Sequence, residues 1–173
     1  MQDMERRAAT AEEARALANP LRLRIIRLCR DRALTNKELA LRLGRDPGTI
    51  LHHVRMLVAT GFLAPDPERR GARGATERPY RSTGKSWTLD VGDDAPGMLA
   101  MLDAVREELA EGTAKDIRTM SRLAVRMSPQ AAERFDARLT ALVEELATLD
   151  EPEGEAFGFF VVLHRTREEG SSD

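Results

Sequence analysis

The chain has 173 residues, 42% of them apolar and 32% charged, with a formal net charge of -2, which predicts a soluble globular protein with room for one medium domain or two small ones. No run of 18 apolar residues occurs and the amino end "MQDMERRAATAEEARA" is too charged for a signal peptide, so the expectation is a cytoplasmic protein without a membrane span. The lone Cys29 excludes an internal disulfide framework.

Charge is segregated along the chain. Residues 20–85 carry 15 Lys and Arg against 6 Asp and Glu, whereas the rest carries 12 against 23. A basic middle beside acidic material is the pattern of a polyanion-binding module joined to a domain of another kind. The preference for Arg over Lys, 24 to 3, is read only as codon bias.

Thr10 and Glu13 have capping-box spacing and predict a short helix ending at Asn19-Pro20. Pro20 opens the next helix, with Leu21, Ile25, Leu28 and Cys29 on one stripe. Thr35 and Glu38 repeat the capping box, Leu39, Ala40 and Leu43 supply a buried side, and Gly44 stops the helix. Asp46 caps a further helix with Pro47 at its first position and Ile50, Val54 and Leu57 facing inward, until Gly61 ends it.

From Phe62 the period changes. "FLAP" and "PYRS" read as two short strands joined by the basic loop "DPERRGARGATER", a wing. "SWTLDV" alternates Trp87, Leu89 and Val91 as a further short strand, and "GDDAPG" breaks the chain. Beyond it, Met98, Leu102, Val105 and Leu109 share a helical face, and the pattern resumes at Ile117, Met120, Leu123, Ala124 and Met127. Ser128-Pro129 opens a helix whose Ala132, Phe135, Leu139, Leu142, Leu146 and Leu149 keep heptad spacing and want a partner helix. "AFGFFVVLHR", 156–165, reads as a lone strand that must pair with "SWTLDV" or with a sister subunit. The tail "EEGSSD" reads as disordered.

The expected fold class is therefore α+β, mainly α: a winged helix-turn-helix DNA-binding domain over 10–92, then a helical dimerisation and effector region over 95–167 with one C-terminal strand. Two short helices joined by a tight turn and followed by a basic β loop place the second helix in a major groove. With Ile50, Val54 and Leu57 inward, Gly48, His52 and Arg55 fall outward, with Thr49, Leu51 and Met56 on the flanks. Gly48 would let a backbone approach, Arg55 suits guanine, and Arg69, Arg70 and Arg73 at the wing tip suit phosphates or a narrow minor groove. Lys37, and Arg45 in the turn, complete the candidate DNA contacts. His53 lies nearer the buried side than His52, and a packed histidine is as good a reading of it as a DNA contact.

"ALANPLRLRIIRLC", "LTNKELALRLGRDPGTILHHVRMLVATGFL" and "RPYRST" resemble the ArsR family of winged-helix transcriptional repressors over roughly residues 14 to 90. The resemblance implies a homodimer in the cytoplasm that binds a near-palindromic double-stranded DNA operator and lets go when an effector arrives. Where the family often has Ser-Gln-Ser this chain has Asp46, Pro47 and Gly48, and Leu51 replaces the usual Ser after the Ile, so base-reading donors are lost. The Cys-x-Cys of metal-sensing relatives is missing, and Cys29, His52, His53 and His164 are too scattered to bind zinc.

No cofactor is expected, and no enzyme signature stands: "STGKS" has Pro79 where a phosphate-binding loop needs glycine. Trp87, Met98, Met101, Met120, Phe135 and Phe159 either line an adaptable apolar pocket for a small-molecule effector or form ordinary core and dimer seam. A winged helix used for protein assembly, without DNA binding, is the competing function.

Overall fold

The computed structural model describes residues 6–71, 74–90, 95–149, 151 and 154–166. Two compact units divide the chain, Met1–Asp116 and Ile117–Asp173. The helix Ala95–Glu111, expected in the second region, belongs to the first unit and packs on its helix Pro20–Asp31.

The first unit begins with β1 (Arg7–Ala8), α1 (Ala11–Leu17) and α2 (Pro20–Asp31). Thr10 and Glu13 form the full capping box of α1, and Asn19 accepts from the Arg22 backbone N–H to cap α2 at 3.1 Å. The buried Arg22 guanidinium turns back to donate to the carbonyls of Ala16 and Arg15 at 2.5 and 2.7 Å, satisfying acceptors that the end of α1 leaves open. β2 (Leu34–Thr35), α3 (Asn36–Leu43) and α4 (Pro47–Ala59) follow. Next come β3 (Leu63–Pro65), β4 (Arg69–Arg70), β5 (Thr76–Glu77) and β6 (Pro79–Ser82), then β7 (Leu89–Asp90) and α5 (Ala95–Glu111).

The sheet order β2-β6-β3 is antiparallel throughout, with Leu34 opposite Tyr80 and Ala64 opposite Arg81. β4 and β5 form a separate small ladder toward the tip of the wing, so the long basic loop is itself partly paired. Leu39, Ile50, Val54 and Leu57 are fully buried with Ile25 and Cys29, and burial pushes the Cys29 thiol up to about 12. Each such aliphatic side chain contributes about 1.5–3 kcal/mol by leaving water, which fixes the packing of α3 on α4 and of α4 on α2.

Helix α5, which packs on α2 and α1, buries Ala100 and Ala104, small residues that let it lie close. Arg24, with 6% of its side chain exposed, pairs with Glu107 at 2.8 Å and with Glu111. Met98, Met101, Leu102 and Leu109 on the same helix are exposed. In the second unit Ser128 caps α6 (Pro129–Ala147), and none of the described residues is buried. The heptad positions Phe135, Leu142, Leu146 and Leu149 lie open to solvent, with Arg138 against the Phe135 ring. No helix among the described residues is long and apolar enough to cross a membrane.

Three expected elements differ. Trp87 lies in a 3-10 turn, Lys85–Thr88, rather than a strand: Gly84 at φ 76° starts the turn, the Trp87 N–H donates to the Gly84 carbonyl, and pairing begins only at Leu89. β7 then runs parallel to β1; Val91 lies outside the described residues. Residues 117–127 form no helix, since an exposed stretch with no packed face lacks what stabilises short helices. Residues 156–165 form no strand: the expected partner is only two residues long and already paired with β1. Gly92–Asp94 and the "EEGSSD" tail lie outside the described residues.

Candidate nucleic-acid interface

The turn between α3 and α4 is built from backbone requirements. Gly44 takes φ 58°, a left-handed conformation that glycine adopts without a Cβ clash, and the following Arg45 N–H donates to the Ala40 carbonyl at 3.0 Å to close α3. Asp46 accepts from the N–H groups of Gly48 and Thr49 at 2.8 and 3.1 Å, and the Asn36 amide donates to the Pro47 carbonyl at 2.9 Å. The angle at which α4 leaves the turn is thereby held from both sides. Gly48 has a further reason to be glycine: a Cβ there would sit 2.9 Å from the capping Asp46 carboxylate.

With Ile50, Val54 and Leu57 buried, Thr49, His52 and Arg55 project outward, while Leu51, His53 and Met56 are half-buried. Lys37, Arg45 and Gly48 are exposed beside them, and among the described residues Lys37, Arg45 and Arg55 have no ion pair. His53 belongs to the packed side: its Nδ1 is buried without a hydrogen-bond partner. Burial, with the nearby Arg22 and His52, lowers its pKa and favours the neutral ring. A half-buried ring lacking a partner is poorly placed to read a base edge.

At the far end of α4 the Thr60 hydroxyl donates to the Met56 carbonyl at 2.8 Å, and Lys85 Nζ donates to the Thr60 carbonyl at 2.6 Å. A cation at a helix carboxyl end is electrostatically favoured. Lys85 is also 2.7 Å from Glu13, which Arg7 grips through both carboxylate oxygens. These donors hold the Glu13 carboxyl far below its ordinary range: Arg7 most, then Lys85, then the Thr10 N–H. Lys85 and the Thr83 hydroxyl, which donates to the Gly61 carbonyl at 2.7 Å, thus tie the chain leaving the wing to the end of α4. Sequence reasoning missed this role because Glu13 and Lys85 meet only in the folded chain.

Much of the wing's charge is internally matched. Arg69 bonds both Glu38 oxygens at 2.8 and 2.7 Å, Arg78 pairs with Glu68 at 2.9 Å, and Arg81 with Asp66 at 3.4 Å. Burial alone would raise Glu38, but hydrogen bonds from Thr35 and Arg69 outweigh it and hold the carboxyl below its ordinary value. Arg70 is exposed and without an ion pair among the described residues; Arg73 lies outside them.

The suggested effector residues fall into two sets. Trp87, Met98 and Met101 belong to the first unit, with the Arg6 guanidinium over the Trp87 ring, and Met120, Phe135 and Phe159 belong to the second, where each is exposed. A cleft that the sequence did not suggest lies between α4 and the wing, with Arg55, Arg78 and Tyr80 on its walls. The spacing of Arg55 and Tyr80 in the chain gives no hint that β6 brings them together.

A family profile described as "Helix-turn-helix domain" matches residues 17–65, which run from the end of α1 to the end of β3. Residues 17–65 are a helix-turn-helix domain. The match supports a DNA-binding regulator. Among solved structures, the chain is similar to the adhesin competence repressor (AdcR) from Streptococcus pyogenes, at 19% identity over 74% of this chain and 81% of that one. The TM-score is 0.34, too low to carry over an arrangement or a role. No curated protein matches the chain.

Proposed function

We propose that the chain is a sequence-specific double-stranded DNA-binding transcriptional regulator that acts as a homodimeric repressor and is released by an effector. One observation carries the reading: α4 is anchored along its whole length while Thr49, His52 and Arg55 stand free on its outer face. An enzyme would gather such polar groups around a substrate; here they line the outside of a firmly anchored helix of a size suited to a major groove. Arg55 is the one side chain on that face able to make a bidentate contact to guanine, with His52 and Thr49 beside it. Lys37, Arg45, Gly48, Arg70 and Arg73 would contact the phosphate backbone, and the half-buried Leu51 and His53 contribute less.

Dimerisation rests on the apolar surface that the chain leaves in water. Met98, Leu102 and Leu109 on α5 and Phe135, Leu142 and Leu146 on α6 are between 36% and 57% exposed, a cost that a second copy would remove. The ArsR resemblance, carried by the Asn19-Pro20 helix start, Glu38-Leu39-Ala40 and Thr49 to His53, agrees with a dimer and with an operator of two half-sites.

Selection from a pool of random duplexes at physiological salt tests the reading. Enrichment of a two-fold symmetric sequence with half-sites about 10 base pairs apart is expected. Sedimentation should give twice the chain mass of 19.3 kDa. The competing assembly-module reading draws on the matched wing charges, Arg69–Glu38 and Arg78–Glu68. A pool that never enriches, from a folded dimer, would favour it and overturn DNA recognition.

A further inference from the structure

The cleft between α4 and the wing has a volume of about 250 Å³. Its floor is apolar, from Val54, Val58 and Ala59, and its walls carry Tyr80, Arg55 and Arg78. The two guanidiniums differ. Arg78 is already bonded to Glu68, whereas Arg55 is exposed and has no ion pair among the described residues. An apolar floor beside one unmatched cation is complementary to a ligand that is apolar at one end and singly negative at the other.

We propose that this cleft binds a small amphipathic carboxylate of the size and chemistry of benzoate, with the carboxylate on Arg55 and the ring over Val58, Ala59 and Tyr80. Size favours a single ring, because pockets for drug-sized ligands run from roughly 300 Å³ upward. Chemistry favours a carboxylate over inorganic phosphate: a guanidinium fork fits the oxygens of either, but a phosphate would lose hydration over the floor with nothing there to replace it, whereas a ring is favoured there. Arg78, shared with Glu68, adds positive potential at the rim without a dedicated bond. Because Arg55 also stands on the outer face of α4, a bound carboxylate occupies the group meant for a base. The ligand thus competes with DNA, a consequence that rests on the proposed function.

Titrating the ¹⁵N-labelled full chain, free of DNA and at constant ionic strength, with benzoate, benzyl alcohol and inorganic phosphate in turn tests the site. Benzoate should give saturable amide shifts confined to the second half of α4 and to β6, and the other two should not. Arg55→Gln should abolish saturation, and Ala59→Phe, which fills the cleft from an exposed position, should do the same. No saturable benzoate shift, an equal response to phosphate, or unchanged binding in Arg55→Gln overturns the site. With a selected duplex present, benzoate at ten times its own dissociation constant should weaken duplex affinity about elevenfold. Saturation without that loss upholds the cleft and overturns the competition; saturation in a chain that binds no duplex upholds the cleft while the DNA reading falls.

Discussion

Glu38→Gln tests whether the wing's charge is held in reserve. Glu38 does two jobs: it completes the capping box with Thr35, and its carboxylate binds Arg69 through both oxygens. Glutamine keeps the capping acceptor and removes the charge. The pair is 44% and 41% exposed, so its loss should cost less than about 1 kcal/mol of stability. The sign with pH is definite: Glu38 is held low in the folded chain, so its contribution is present above the ordinary carboxylate range and disappears as pH falls through the folded value. The larger effect is on DNA. If Lys37, Arg45 and Arg70 of each protomer reach phosphates, a dimer makes about 6 such contacts and log affinity falls against log salt with a slope of about -5. Freed from Glu38 and left with only the longer pair to Glu77 at 3.5 Å, Arg69 adds about two contacts per dimer and steepens the slope by about 1.8. Between 50 and 200 mM salt the variant should therefore lose about tenfold more affinity than the parent, and it should bind more tightly at the low end. Fluorescence anisotropy on a selected duplex reads both. An identical slope in the two proteins would show that Arg69 stays off the DNA.

Four further outcomes are expected. Arg55→Ala should cost about 1–3 kcal/mol of duplex affinity and relax preference at one base position, measured by repeating the selection with the variant; an unchanged profile denies Arg55 a base contact. Gly48→Ala should fail to deliver the stabilisation of about 1 kcal/mol that alanine gives in a helix, because its Cβ crowds the Asp46 cap; urea unfolding showing the full gain would mean the cap moves freely. Arg24→Met keeps the aliphatic stem but strands Glu107 and Glu111, and since both acids retain access to water the loss should be about 2 kcal/mol rather than the larger cost of a fully buried pair, again by urea unfolding. Glu13→Gln should destabilise at neutral pH, and the difference from the parent should shrink as pH falls below the ordinary carboxylate range, because a carboxyl held low in the folded chain stabilises fully above its ordinary value and progressively less as pH falls toward the folded one. A difference that stays constant down to pH 3 would show that the Arg7 and Lys85 pairs carry none of it.

What was legible in the sequence is what local chemistry decides. The spacings Thr10 to Glu13 and Thr35 to Glu38 close into capping boxes because the partners are three residues apart on one turn, and Gly44 and Asp46 mark their helix ends by backbone needs that no distant residue alters. The inward set Ile50, Val54 and Leu57 followed from helical period alone. Long-range choices were not legible. Nothing in "SWTLDV" reveals that Lys85 is drawn to the Thr60 carbonyl and Glu13, which bends the segment into a 3-10 turn. Nothing in the basic wing loop reveals that Arg69 and Arg78 meet Glu38 and Glu68.

The same division explains why the apolar periodicity of the second half gave elements that the single chain does not form. Residues 117–127 and 156–165 have the pattern of a helix and a strand, yet a pattern only specifies which face seeks cover. In the first unit that cover exists within the chain: α2 receives α5 through Ala100 and Ala104 and holds it by Arg24. In the second unit every apolar position of α6 is at least partly in water, so the energy that would order its neighbours has no source within those residues. A second copy supplies such a source if its α6 seam packs against the first. Circular dichroism across a dilution series should therefore show helix or strand content that falls as the dimer dissociates, while a content independent of protein concentration would mean that these segments gain nothing from a partner chain.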